Sequence, residues 1–81
     1  MATARDIYRD GYASNIRGAF AELCEMQSYT VPSILRSCLE VAQVHLRYAL
    51  GWANRLGDAG LRGLCLKLLG WVAAKLRRLP E

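Results

Sequence analysis

One histidine and three cysteines are the side chains of this 81-residue chain that most readily supply general-base, nucleophilic or soft-metal chemistry: His45, Cys24, Cys38 and Cys65. His45 and Cys38 stand seven positions apart, which puts them on one face of a helix, and with Cys24 and Cys65 they have the composition of a Cys₃His zinc site. The spacing lacks the close ligand pairs that such sites use, and no CxxC occurs. A lone histidine at the edge of an apolar helix face reads as a packed boundary residue rather than a general base. The cysteines fall one per helical segment, on or near apolar faces, and read as small buried hydrophobes. Gly57, Gly60 and Gly63 precede no strand-to-helix phosphate fingerprint. The expectation is therefore no enzyme, no cofactor and no metal.

The remaining chemistry is binding. Residues 62–81 contain Arg62, Lys67, Lys75, Arg77 and Arg78 against Glu81 alone, so they hold the whole net charge of +4. The same stretch is dense in leucine and contains Trp71 and Val72, a cationic amphipathic pattern of the kind that docks on a partner groove, an acidic surface or a membrane face. Two tryptophans, Trp52 and Trp71, lie at the margins of their apolar arcs, where a large amphipathic ring serves as an interface anchor. The candidate partner-binding residues are Trp52, Leu66, Lys67, Trp71, Arg77 and Arg78.

A chain this short forms one domain and buries a modest share of its surface. At 53% hydrophobic residues it is richer in apolar side chains than a small core can absorb, so the surplus is exposed or covered by another chain or by lipid. The longest run free of Asp, Glu, Lys and Arg, Met26–Leu35, is far below the roughly 20 residues of a membrane span. Met1–Tyr12 holds Arg5, Asp6, Arg9 and Asp10 and no apolar block, which is neither a signal peptide nor a mitochondrial presequence. An odd cysteine count without CxxC points to the cytoplasm or another reducing compartment, with the periphery of a membrane as a further setting.

These residues must be positioned by helices. The periodicity predicts an all-α fold with helices over about 5–26, 32–56 and 59–79, arranged as a three-helix antiparallel bundle or as a helical hairpin completed by oligomerisation. In the first segment Tyr8, Tyr12, Ala19, Leu23 and Met26 share one side, with Ala13, Ile16 and Phe20 beside them. Gly11 and Gly18 weaken it by about 1 kcal/mol each, and Gly11 is a possible break that would leave Met1–Asp10 as an arm. Thr30 or Ser28 is the expected cap of the second helix, with Pro32 in its first turn. There Leu35, Leu39, Ala42, Leu46, Ala49, Ala53 and Leu56 form a heptad-type seam. Cys38, Val41, His45, Tyr48 and Trp52 widen it enough to touch two neighbours, which makes this helix central. Gly57 is the expected C-terminal stop and Asp58 the cap of the third helix. The third seam is Leu61, Cys65, Leu68, Val72, Leu76 and Leu79, with Gly63, Gly70, Ala73 and Ala74 opposite it and Lys75 snorkelling from its margin.

Such a chain is expected to be a small non-catalytic protein–protein interaction module, a homo-oligomer or a subunit of a larger assembly. A peripheral protein laying residues 61–79 on an anionic membrane is the alternative. Nucleic-acid binding through the same helix ranks last, because about half of the basic charge is locally balanced, as in Arg5–Asp6 and Arg9–Asp10.

Overall fold

A computed structural model describes residues 1–80 of the chain. They form helices α1 (Ala4–Glu25), α2 (Pro32–Leu56) and α3 (Ala59–Arg78), with one 3₁₀ turn, Met26–Ser28, closing α1. The helix ends fall within a residue of the periodicity's expectation.

Helix α1 starts on a capping box. The Thr3 hydroxyl accepts from the Asp6 N–H at 3.2 Å, and the Asp6 carboxylate accepts from the Thr3 N–H at 3.1 Å. This pair satisfies two of the amides that a helix start leaves unpaired. The Thr3 hydrogen bonds hold the Asp6 carboxyl below its ordinary pKa. The helix then runs unbroken through Gly11, so residues 1–10 are not a separate arm. The cap of α2 is neither Thr30 nor Ser28: Val31 occupies that position without a side-chain hydrogen bond. Two features stand in for one. Pro32 has no N–H to satisfy, and the Val31 carbonyl accepts from the Ile34 and Leu35 amides. At the far end Gly57 takes φ 67° and ψ 24°, the left-handed conformation that favours glycine, and Asp58 caps α3 by accepting from the Leu61 N–H at 3.0 Å.

Helix α2 is the centre of the fold. Leu39, Ala42, Leu46, Ala49 and Ala53 are completely buried, with Leu56 nearly so. Leu39, Ala42 and Leu46 pack with Ala19 of α1 and Val72 of α3, and a second cluster joins Ala49 and Ala53 to Tyr12 and Cys65. Alanine at Ala42, Ala49 and Ala53 lets both neighbours come close to the α2 backbone, while the leucines fill the space between them. The molecule measures 47 × 22 × 14 Å, an elongated open bundle.

Both neighbours run antiparallel to α2, but they are held differently. Helix α1 sits so close that a Cβ on Gly11 would lie 2.4 Å from the Trp52 ring, and one on Gly18 2.8 Å from the His45 ring. Polar ties reinforce this contact. Arg5 donates to the Leu56 carbonyl at 3.3 Å, capping the C-terminus of α2. Asn15 donates to the Gly11 carbonyl at 2.8 Å, which leaves its oxygen to accept from His45 Nδ1 at 3.3 Å. Helix α3 is held through the two apolar clusters, by residues such as Val72 and Cys65.

Candidate partner-binding groove

The side chains with reactive chemistry do not converge. His45 lies between α1 and α2 under Gly18, whereas Cys38 and Cys65 are buried and Cys24 is exposed, so the expectation of three packed cysteines fails at Cys24. It sits on α1 away from the α2 contact, one position past the inward-facing Leu23. Among the described residues, no three histidine, cysteine or acidic side chains gather where they could share a metal ion. Burial raises the pKa of the Cys38 thiol, with Glu22 and Glu25 adding to the effect, and burial also raises that of Cys65. Both thiols are thus held in the neutral form, which is a poor nucleophile and a poor metal ligand. The Tyr12 hydroxyl is buried beside Cys65 without a hydrogen-bond partner, and burial raises its pKa as well.

The six partner-binding candidates separate into three places. Trp52 is half-buried in the α1–α2 contact, where Gly11 lies under its ring. Tyr8 packs against it with ring centroids 5.8 Å apart, and the Arg55 guanidinium sits 4.8 Å from its centre. Leu66 and Arg77 are exposed on one shoulder of α3. Lys67, Trp71 and Arg78 are exposed on the opposite shoulder, the one turned toward α1.

At that second shoulder the structure brings together residues that the sequence kept far apart. No Cα of α1 comes within 8 Å of a Cα of α3, so the two helices flank α2 without closing on each other. Phe20 and Leu23 of α1 and Lys67, Leu68 and Trp71 of α3 line the resulting groove, whose volume is about 330 Å³. Phe20 and Trp71 are each 45% exposed, a large aromatic surface for a small domain to leave in water. Lys75 holds its ammonium 5.3 Å from the centre of the Trp71 ring, so two lysines border the groove, and among the described residues no acidic side chain lines it.

The sequence reading set Phe20 beside the apolar side of α1, and the structure leaves it exposed. It stands one helical position beyond the buried Ala19, on the flank turned to α3, and α3 is too distant to cover it. The signal was an apolar arc on α1 wider than one neighbour requires, but the arc alone does not show which flank stays open. Among the described residues, no helix is long and apolar enough to cross a membrane. Comparison with protein families, with curated proteins and with solved structures finds no match for the chain.

Proposed function

We propose that this chain is a non-catalytic helical interaction module whose α1–α3 groove receives an amphipathic helix with acidic flanks from a partner protein. One observation carries the reading: Phe20 and Trp71, both half-exposed, line an apolar trough together with Lys67, with Lys75 over the Trp71 ring and no acidic lining among the described residues. A trough between two helices matches the shape of a third helix, which would place its apolar stripe on Leu23 and Leu68. Carboxylates on that helix would meet Lys67 and Lys75, setting orientation and association rate more than affinity.

The membrane alternative draws on the same exposed residues with a poorer geometric fit. Leu66 and Trp71 are five positions apart, roughly 140° around a helix of 3.6 residues per turn, and the arc between them carries Lys67, Arg77 and Arg78 rather than an apolar stripe. The leucines that would enter a bilayer, Leu61, Leu68, Leu69, Leu76 and Leu79, are packed to differing degrees against α1 and α2. Gly63 and Gly70 occupy the outward face instead, and neither has a neighbouring side chain over it.

The test is a titration of the full chain, in a Trp52→Phe background, with a designed leucine-seamed peptide flanked by glutamates, read by Trp71 fluorescence. Micromolar binding is expected. Trp71→Ala, followed by a label on the peptide, should weaken it about 30-fold, as removal of a hot-spot tryptophan does. Lys67→Glu should slow association while circular dichroism shows the fold unchanged. Binding that is indifferent to both substitutions, or a Trp71 response to anionic vesicles in place of the peptide, would refute the proposal.

A further inference from the structure

The outward face of α2 carries a second seam that the described residues leave exposed. Ile34, Ser37, Val41, Val44, Tyr48 and Gly51 recur at alternating intervals of three and four, and all six are exposed. Val44 is 49% and Tyr48 64% exposed, and a shallow dent lies between them and Arg47. Glycine inside a helix is destabilising relative to alanine, and nothing in the chain accounts for the one at 51: a Cβ there would meet no atom within 4 Å. Gly11 and Gly18, in contrast, are each required by a ring packed on them.

We infer that this seam pairs antiparallel with the same seam of a second copy of the chain. The seam is self-complementary in size. When Val41 is set opposite Val44 of the second copy, Ser37 falls opposite Tyr48, and Ile34 falls opposite Gly51. Tyr48 and Ile34 then each meet a small residue, the valines meet as equals, and Gly51 becomes the hole that receives the isoleucine. It is also self-complementary in charge. Glu40 and Arg47 are exposed along one margin, and antiparallel pairing brings Glu40 of each copy beside Arg47 of the other, twice per dimer. Parallel pairing would set Tyr48 on Tyr48 and Gly51 on Gly51. It would also point Glu40 and Arg47 at the margin holding His45 and Trp52, which α1 already covers. This surface lies away from the α1–α3 groove and does not depend on what the groove binds.

The experiment is sedimentation equilibrium of the full-length chain across micromolar concentrations. The wild type is expected to dimerise, and Tyr48→Glu to be a monomer with unchanged helix content. Glu40→Arg alone and Arg47→Glu alone each create two like-charge contacts and should each weaken the dimer about tenfold. Mixing these two single variants rebuilds both opposite-charge contacts in a heterodimer, so the mixture should recover association near the wild-type level. A wild-type chain that stays monomeric would overturn the inference. So would a dimer that ignores Tyr48→Glu and the charge reversals, or one that is lost with Trp71→Ala instead. A mixture no better than its components would overturn the antiparallel register.

Discussion

Helix α2 presents a heptad-spaced seam to α1 and another to solvent, and a glycine marks each contact in a different way. On the inner side Gly11 and Gly18 of α1 are covered, one by the Trp52 ring and one by the His45 ring, and Arg5 and Asn15 add polar ties to α2. On the outer side Gly51 opens on empty space amid exposed valines and a tyrosine. The local cost of glycine in a helix is the same in all three places. What differs is the return: a close helix–helix approach on one side and, within the single chain, nothing on the other. A helical glycine therefore has no fixed meaning in a sequence; what lies over it decides.

The largest expected effect breaks both sides together. Leu46 is completely buried on α2 between α1 and α3, so Leu46→Ala leaves a cavity at the shared core and should cost about 2–5 kcal/mol. Urea denaturation would show a marked drop in midpoint. A loss below about 1 kcal/mol would mean that the core collapses around the deletion and is less rigidly packed than the structure shows.

The next experiment sharpens the comparison through a difference in sign. Gly11→Ala gains helix propensity but drives a methyl into the Trp52 ring, which Tyr8 and Arg55 hold in place. The overpacking should win, for a net loss of about 1–2 kcal/mol. Gly51→Ala meets no atom and should gain up to about 1 kcal/mol when measured in dilute monomer. Equal signs in chemical denaturation would dissolve the contrast between the two seams.

The smallest effect concerns the start of α1, upstream of the inner contact. The folded pKa of Asp6 lies below its ordinary value. Its contribution is therefore present above the unfolded-state pKa and is lost as pH falls through the lowered folded one. Melting temperatures of the wild type and Asp6→Ala should differ slightly at neutral pH and converge in acid. A difference that persists unchanged in acid would show that the capping box acts through something other than the ionised carboxylate.

Much of the fold was legible because it is local. The seam of α2 from Leu35 to Leu56, the Gly57 stop, the Asp58 cap and the central position of α2 all follow from periodicity and capping chemistry within a few residues. The cap at Val31 was not, because Pro32 removes the need for the side chain that sequence reasoning looks for. The candidate site was legible only in half. Lys67 and Trp71 stood out on a basic helix, but Phe20 and Leu23 lie more than forty positions earlier, and only the path of the chain sets them opposite.

By itself the sequence determined where the helices begin and end, which stripe of each is apolar, and that more apolar surface exists than one small core can hold. Those are properties of neighbouring residues and of a fixed helical repeat. The tertiary structure alone decided how the surplus is distributed. Gly11 and Gly18 let α1 come close enough to α2 to absorb Trp52 and His45. Helix α3 stays too far from α1 to cover Phe20 and Trp71, and the outer side of α2 is left uncovered. Helix-to-helix distance depends on which small residues meet across the contact, and that pairing is a property of three dimensions.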